Sequence, residues 1–179
     1  NRISGLEALL ASQAVKGPAP VERWDPPYCG DIGLGIRADG VWTYRDSPIG
    51  RRALVRMFAC VLRRDADGRY YLVTPAEKVD VAVDDAPFLA VEMEVRGSGA
   101  AQNLIFRTNV DDIVTAGHEH PLRFAAEPAG GGVKPYLLVR GRLEALATRA
   151  LAYDLLELAA TDDGRKPGLW SAGAFFPLE

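Results

Sequence analysis

The sequence has few side chains that could cross-link the chain or bind a metal ion: two cysteines and two histidines in 179 residues. Cys29 lies in a loop rich in proline and glycine, and Cys60 lies in a helical pattern. This favours two reduced thiols and leaves a disulfide open. His118 and His120 stand on one side of an extended segment, but two imidazoles do not complete a zinc site, and no further metal-binding motif accompanies them. No metal site is therefore predicted.

Long apolar runs and an excess of positive charge are also lacking. No run approaches the ~20 apolar residues that span a bilayer, and the segment Ile3–Val15 lacks the cationic flank and cleavage site of a signal peptide. The formal net charge of −3 argues against a nucleic-acid polymer as partner, because such binders usually carry a basic face. We expect a cytoplasmic protein without membrane contact.

Motifs for catalysis and for cofactor binding are missing too. There is no Gly-x-Ser-x-Gly motif and no P-loop, and the glycines of Gly30–Gly35 have the wrong spacing for a dinucleotide fingerprint and lead into a hairpin. Cys29 and His120 could be written as a pair, but so could a cysteine and a histidine in any protein. The sequence predicts no catalytic residue and no cofactor, and it favours a protein that is not an enzyme.

A hydrophobic content of 48% allows the chain to form a core without metals or disulfides. The first pattern is a short helix over Ile3–Val15, which Gly17–Pro20 interrupts. We expect this helix and linker at residues 1–20 and a first α+β unit at residues 21–84. A second, β-rich unit with a C-terminal helix is expected at residues 85–179.

In the first unit, apolar residues alternate over Ile32–Ile36 and Val41–Tyr44 and predict a hairpin around Asp39–Gly40. Ser47–Pro48 is typical of a helix start, with Ser47 as N-cap, and an apolar stripe at helical spacing follows over Leu54–Leu62. Two further strands are expected at Tyr70–Thr74 and Val79–Val83.

The second unit is richer in strands. A helix is predicted at about Thr148–Ala160. Strands outnumber helices and no βαβ rhythm appears, so the fold class is α+β. We expect the first unit to be a small α/β roll and the second a roll or partial barrel capped by the helix. The strands predicted for the second unit are Leu89–Val95, Leu104–Thr108, Ile113–Ala116, Leu122–Phe124, Tyr136–Leu143 and Phe175–Phe176.

The order hairpin, helix, strand occurs twice along the chain. Arg52–Leu54 matches Arg149–Leu151, and Asp67–Arg69 matches Asp163–Arg165. Chance similarity between two amphipathic helices is the alternative to a true duplication. The pattern predicts two tandem units of similar design.

Arginines at the two helix starts are the main functional hint. Arg51 and Arg52 follow Ser47, and Arg149 follows Thr148, although a cation near a helix N-terminus opposes the helix dipole. The placement becomes favourable when an anion binds there, because backbone N–H groups, dipole and guanidinium then act together. A solvated arginine that tolerates a small penalty is the simpler alternative.

Three other segments offer side chains for a ligand. Glu77 and Lys78 follow a strand end, and an ordinary exposed ion pair would also explain them. Asn109 ends another strand, where turn chemistry alone would explain it. Trp170 offers a stacking surface for a flat ligand, although filling the core is the simpler explanation. The predicted ligand-binding set is Arg51, Glu77, Lys78, Arg107, Asn109 and Trp170.

Five segments can be matched in order to a known family: Trp24–Ile32, Ser47–Arg51, Tyr71–Val79, Phe106–Asn109 and Trp170–Leu178. Together they resemble the bacterial domain-of-unknown-function family 1285, and the resemblance runs from about Trp24 to the C-terminus. Ala76 stands where a larger aliphatic residue is expected. The resemblance implies a duplicated core of two α+β units, the second superficially like a pleckstrin-homology roll. It also implies a nucleotide-type ligand at the interface of the units and a part in signal transduction, and it carries over no catalytic residue.

The favoured function is a binding module for an anionic, nucleotide-type small molecule, with a role in signalling. A protein–protein interaction or scaffold domain is the alternative, and an exposed apolar patch or a long unpaired strand edge would favour it. An enzyme that uses Asp31, Glu77 or His120 as acid or base comes third, since it requires a cleft that perturbs their pKa values. The sequence allows a homodimer without deciding it.

Overall fold

The computed structural model describes residues 18–128, 130, 132–159 and 166–179 of the chain. Contacts divide it into two compact units, of which the first ends at Asp85 and the second begins at Ala86. The predicted helix at Ile3–Val15 and the turn Asp163–Arg165 lie outside the described residues. Within the described ranges, no helix is long and apolar enough to cross a bilayer.

The first unit is one six-stranded sheet with a single α-helix. The strand order is β3-β2-β1-β6-β5-β4; β1 and β6 are parallel, and all other neighbours are antiparallel. The helix connects the two edge strands. The elements are β1 (Leu34–Ile36), β2 (Trp42–Tyr44), β3 (Ser47–Pro48), α1 (Arg52–Cys60), β4 (Leu62–Arg64), β5 (Tyr70–Val73) and β6 (Lys78–Val83).

Alternation along the strands places apolar side chains on the sheet face that α1 covers. Leu62, Leu72 and Val79 stand opposite one another on β4, β5 and β6, and all three are buried. The α1 residue Phe58 is fully buried, and its ring centre lies 6.0 Å from that of Trp42 on β2. The opposite face of the same strands is therefore left for polar side chains.

The predicted helix start at Ser47 is wrong. Ser47–Pro48 pairs with β2, because Arg45 and Asp46 form a two-residue turn with left-handed φ values of 49° and 67°. A type I′ turn usually has Asn-Gly or Asp-Gly at its two central positions, so the residues Arg-Asp do not predict this hairpin. The helix begins at Arg52, with Arg51 in the N-cap position, and ends at Cys60. The last residue of the predicted apolar stripe, Leu62, is the first residue of β4.

The second unit is a six-stranded sheet of order β10-β11-β12-β7-β8-β9, a helix and a separate hairpin. The helix packs on β7, β11 and β12. The single strand predicted over Tyr136–Leu143 is instead parts of two strands joined by a turn at Gly141–Arg142. The elements are β7 (Phe88–Arg96), β8 (Asn103–Thr108), β9 (Ile113–Thr115), β10 (Leu122–Ala126), β11 (Val133–Arg140), β12 (Leu143–Ala147), α2 (Arg149–Leu158), β13 (Gly168–Ser171) and β14 (Ala174–Pro177).

The second sheet curls into a half-barrel, as the connection between its edge strands shows. β9 ends at Thr115 and β10 begins at Leu122, seven residues later. Seven residues reach at most about 25 Å when fully extended, and a turn between Gly117 and His120 shortens this connection. A flat six-stranded sheet would separate its edges by about 24 Å. The edges must therefore approach each other, as the predicted partial barrel requires.

The two units share one sheet topology, which confirms the prediction of two similar tandem units in an α+β fold. Each sheet is a pair of three-stranded antiparallel meanders joined through one parallel pair, β1 with β6 and β7 with β12. The order hairpin, helix, strand also recurs around α1 and around α2. The helix stands between the two meanders in the first unit and after both in the second. The likeness to a pleckstrin-homology roll stays a prediction.

Candidate functional site

Arg51, Glu77 and Lys78, three of the six sequence-predicted site residues, lie in the first unit. Arg51 is exposed in the N-cap position of α1, so it stands at a helix start as expected, one helical turn later than the predicted start at Ser47. Glu77 closes a tight turn, in which the Thr74 N–H donates to the Glu77 carbonyl at 2.9 Å. Lys78 opens β6. The strand end that the sequence predicts before Glu77 is thus followed by a turn between two paired strands.

The ammonium group of Lys78 contacts other residues of the first unit. Its Nζ donates to Asp65 Oδ2 at 3.2 Å and lies 4.5 Å from the centre of the Tyr71 ring. Only 20% of the side chain is exposed. The ammonium is therefore balanced by a carboxylate and a ring face before any ligand arrives.

Lys78 belongs to a network on the sheet face opposite α1. Arg63, Tyr71 and Asp80 stand opposite one another on β4, β5 and β6. Arg63 Nε donates to Asp65 Oδ1 at 2.6 Å, and Arg69 Nη2 donates to Asp80 Oδ1 at 3.0 Å. Three cations and three carboxylates balance one another here. We call this set the outer-face network: Arg63, Asp65, Asp67, Arg69, Tyr71, Lys78 and Asp80.

The segment before β1 is strapped across the outer-face network. The Lys78 N–H donates to the Pro27 carbonyl at 3.1 Å, and the Lys78 carbonyl accepts from the Cys29 N–H at 2.7 Å. The Tyr28 hydroxyl donates to the Asp80 carboxylate. Arg63, which is 8% exposed, donates from Nη1 to the carbonyl of Val21 at 2.8 Å and to that of Trp24 at 2.7 Å. The network therefore fastens a chain segment whose helical structure is one short 3-10 helix, Val21–Arg23.

The pKa values of the network agree with a structural role. The hydrogen bond that Tyr71 donates to Asp67, together with burial, raises the pKa of Tyr71 to about 12. The Arg69 N–H and the Tyr71 hydroxyl lower the pKa of Asp67. Burial opposes ionisation of Asp65, but hydrogen bonds from Arg63 and Lys78 outweigh it and lower its pKa. At neutral pH these groups keep the charges that their partners require.

Arg107 and Asn109 make internal contacts at one end of β8 in the second unit. Arg107 donates to Glu92 Oε1 at 2.7 Å and to Asp111 Oδ1 at 2.8 Å. Asn109 Oδ1 accepts from the Leu89 N–H at 3.0 Å, and the Asn109 N–H donates to the Leu89 carbonyl at 2.9 Å. Asn109 thus joins β8 to β7 by two hydrogen bonds.

Trp170 lies toward the other end of β8. Its carbonyl accepts from Gln102 Nε2 at 2.9 Å, and its ring centre lies 5.1 Å from that of Phe175. Gln102 precedes Arg107 by five residues, which separates them by about 16 Å along an extended strand. The structure therefore does not bring Trp170 and Arg107 together. Trp170 is half-buried and lines an open groove of about 310 Å³ together with Gly97, Gly99 and Gly168.

A second groove of about 240 Å³ runs beside the start of α2, and we call it the α2 groove. Arg149, the first residue of α2, is exposed, and its side chain makes no hydrogen bond or ion pair with any residue that the structure describes. Tyr153, one turn further along the helix, is 60% exposed. The lining combines these two side chains with Glu127, Lys134, Leu146 and Leu156.

The α2 groove lies at the positive end of a helix. Thr148 caps α2, with its Oγ1 accepting from the Leu151 N–H at 3.4 Å. The other N–H groups of a first helical turn have no acceptor within the helix, and the helix dipole adds partial positive charge. Arg149 adds a full charge at the same place. Sequence reasoning recognised Arg149 but missed Lys134 and Tyr153, because only the folded sheet places Lys134 beside the helix.

Histidine, cysteine and acidic side chains are not gathered into a metal-binding group in the part of the chain that the structure describes. Within it, no set of three histidine, cysteine or acidic side chains could hold a metal ion. His120 Nδ1 lies 3.0 Å from the Leu138 carbonyl. Neither Cys29 nor Cys60 forms a disulfide.

Comparisons with known proteins agree with this description. Residues 19–86 match the N-terminal domain model of DUF1285, a domain of unknown function, and residues 87–178 match the C-terminal domain model of DUF1285, described as a protein of unknown function. No curated protein matches the chain.

Two crystal structures of DUF1285 family proteins are similar to this chain. The Silicibacter pomeroyi protein is 51% identical with a TM-score of 0.87, and the match covers 95% of this chain and 93% of that one. The Shewanella baltica protein is 27% identical with a TM-score of 0.54, and the match covers 70% of this chain and 91% of that one. The chain belongs to the DUF1285 family, as its sequence motifs predicted.

Proposed function

We propose that this protein is a binding module for an anionic, nucleotide-type small molecule, and that the ligand lies in the α2 groove. The observation that carries the proposal is the meeting of Arg149, Lys134 and the exposed ring of Tyr153 at the N-terminus of α2. A phosphate group would accept hydrogen bonds from the helix N–H groups and from the guanidinium of Arg149. The role in signalling is the one that the family resemblance implies.

The lining of the α2 groove supports an amphipathic ligand rather than a bare anion. Leu146, Leu156 and Tyr153 offer apolar and aromatic surface beside the two cations. A flat base stacking on an exposed aromatic ring contributes about 1–3 kcal/mol. Glu127 supplies one acceptor on the same surface, which suits the amino or hydroxyl groups of a nucleoside.

The size of the α2 groove limits how much of the ligand it covers. A volume of about 240 Å³ is below the roughly 300–1,000 Å³ of sites that enclose a drug-sized molecule. We expect the groove to hold the phosphate and sugar while the base lies against Tyr153 at its rim.

This proposal moves ligand contact away from part of the sequence-predicted set. Lys78, Arg107 and Asn109 make internal contacts that account for their positions. Arg51, Glu77 and Trp170 stay predictions.

Isothermal titration calorimetry with ADP and GDP, and with adenosine and inorganic phosphate as fragments, tests the proposal. We expect Arg149→Ala to weaken nucleotide binding about tenfold or more and Tyr153→Ala to weaken it to a similar degree. The matched control is Arg142→Ala, since Arg142 is an exposed arginine in the turn between β11 and β12. No heat with any nucleotide, or equal losses in the Arg149 and Arg142 variants, would contradict the proposal.

A protein–protein interaction domain is the second candidate, and the edge strand β9 favours it. Ile113 on β9 is 66% exposed and lines an open surface with Ile105 and Thr115. An exposed apolar residue on an edge strand is a starting point for strand addition by a partner peptide. Ile113→Lys would abolish such an interaction and leave nucleotide binding unchanged, which separates the two candidates.

A further inference from the structure

An open groove of about 330 Å³ lies over the first strand of the first unit. The side chains of Leu34 and Ile36 point to the buried face of the sheet. Gly33 and Gly35 alternate with them and lie on the opposite face, which stays unfilled there because glycine has no side chain. Thr43 on β2 and Ala82 on β6 form the two walls. The glycine-rich segment that fails as a dinucleotide fingerprint thus creates a depression in the outer face of the sheet. We call it the glycine groove.

Glycine at position 35 keeps this depression open. A Cβ there would lie 3.0 Å from Thr43 Oγ1 and 3.3 Å from the Ala82 carbonyl oxygen. Both neighbours are tighter than ordinary contacts, and Gly35 is part of a paired strand. Any larger residue would fill the floor of the groove and press on Thr43.

Thr43 presents an unused polar group to the glycine groove. The residue is only 7% exposed, and its hydroxyl makes no hydrogen bond with the residues that the structure describes. The Thr43 Oγ1 atom is not one of the buried side-chain atoms that lack a partner, so it reaches solvent through the groove. A polar ligand in the groove could take the place of that solvent as its hydrogen-bond partner.

The charge around the glycine groove selects a cation. Asp31, Asp46 and Asp84 line it with one arginine, Arg37, which gives a net charge of −2 from three carboxylates and one guanidinium. Asp31 Oδ1 accepts from the Gly33 N–H at 2.7 Å. The carboxylates of Asp46 and Asp84 make no ion pair within the described part of the chain.

The arrangement suits an organic cation better than a metal ion. Among the described residues, the three carboxylates do not form a group that could hold a metal. Asp46 is moreover held at the rim by a turn in which it and Arg45 both have left-handed φ. Backbone strain of this kind persists where surrounding structure requires it and is often found at binding sites.

We propose that the glycine groove binds a small aliphatic amine, whose ammonium groups pair with Asp46 and Asp84 and donate a hydrogen bond to Thr43. This site lies within the first unit, whereas the α2 groove lies within the second. The two sites also differ in charge, because the glycine groove attracts cations and the α2 groove attracts anions. A molecule with two ammonium groups matches the net charge of −2.

Putrescine is the probe for this site, and amide chemical shifts of Gly33 and Gly35 in a ¹⁵N-labelled sample are the readout. We expect saturable shifts at constant ionic strength, and Asp46→Asn and Asp84→Asn each to weaken binding about tenfold. Thr43→Val should weaken binding while keeping the shape of the side chain. Gly35→Ala should abolish binding, and the thermal melting of each variant shows whether it is folded.

The control is Asp154→Asn, which removes an exposed carboxylate from α2. Unchanged putrescine binding in this variant, with losses in the four groove variants, supports the site. Three results would overturn it: no shifts up to about 10 mM putrescine, equal losses in the Asp154 and Asp84 variants, or shifts with MgCl₂ but not with putrescine.

Discussion

Lys78 Nζ donates to Asp65 at 3.2 Å while it lies 4.5 Å above the Tyr71 ring, so a lysine that the sequence offered for a ligand is held within its own unit. Asp65 in turn accepts from Arg63 at 2.6 Å. The chain of contacts therefore runs from Lys78 through Asp65 to Arg63, and from Arg63 to the backbone carbonyls of Val21 and Trp24. This relationship makes the outer-face network a determinant of stability, which the first three predictions test.

Arg63→Met should lower the free energy of unfolding by about 3 kcal/mol. The substitution keeps an apolar stem but leaves the carbonyls of Val21 and Trp24 and the Asp65 carboxylate without their buried donor. Urea denaturation followed by tryptophan fluorescence measures the change. The control is Arg96→Met, since Arg96 forms an exposed pair with Glu94 and its loss should cost less than about 0.5 kcal/mol. Equal effects of the two substitutions would contradict the assignment.

Acid should weaken the first unit through Asp65 and Asp67. Both carboxyl groups have lowered pKa values in the folded protein, so each contributes stability that is present above its unfolded pKa of about 4. That contribution is lost as the pH falls through the folded pKa values. Denaturation between pH 7 and pH 2 should show a steeper loss for the native protein than for Asp67→Asn. Asp154→Asn, which changes an exposed carboxylate on α2, should follow the native curve.

Alkali should act through Tyr71, with the opposite sign. Its folded pKa of about 12 is above the ordinary value of 10.0, so its contribution is fully present below pH 10 and is lost as the pH rises toward 12. Tyr71→Phe removes the ionising hydroxyl and should flatten this part of the profile. Tyr153→Phe is the control, because Tyr153 is exposed on α2. If both variants keep the native slope, the hydrogen bond from Tyr71 to Asp67 does not govern alkaline stability.

Asn109→Ala should separate a structural residue from a ligand-binding one. It removes the acceptor of the Leu89 N–H, and we expect the free energy of unfolding to fall by about 1–2 kcal/mol. Its affinity for ADP should equal that of the native protein, whereas Arg149→Ala should show the reverse pattern. A loss of ADP binding in a folded Asn109→Ala protein would restore Asn109 to the ligand-binding set.

Local sequence patterns predicted the elements whose signals are local. The alternation around Asp39–Gly40 and the helix start at Thr148 both have turn or cap residues of the usual kind, and the structure confirms them as the β1–β2 hairpin and α2. The β2–β3 hairpin was missed because Arg45–Asp46 adopts a turn that its residue types disfavour. The pairing of Lys78 with Asp65 and the approach of Lys134 to α2 depend on strands brought together by the fold. The residues in each contact are far apart along the chain, so a local sequence pattern cannot predict them.

The strained turn at Arg45–Asp46 gives the last prediction, since ordinary turn chemistry should improve it. The double variant Arg45→Asn with Asp46→Gly supplies the residues that a type I′ turn favours, and relief of two left-handed non-glycine positions should raise the free energy of unfolding by about 1–2 kcal/mol. Because Asp46 also lines the glycine groove, the same variant should lose putrescine binding. A gain in stability at the cost of binding is the pattern expected where strain is kept for function.

The matched control for this last experiment is the β13–β14 turn, where Ala172 has a φ of 47° beside Gly173. Ala172→Asn should also stabilise the protein, by a few tenths to about 1 kcal/mol, and it should leave putrescine binding unchanged because the residue is not part of the glycine groove. Urea denaturation and the amide shifts of Gly33 and Gly35 measure the two effects on the same samples. If the double variant gains no stability while Ala172→Asn does, the Arg45–Asp46 turn is not strained; if it keeps putrescine binding, Asp46 is not a ligand.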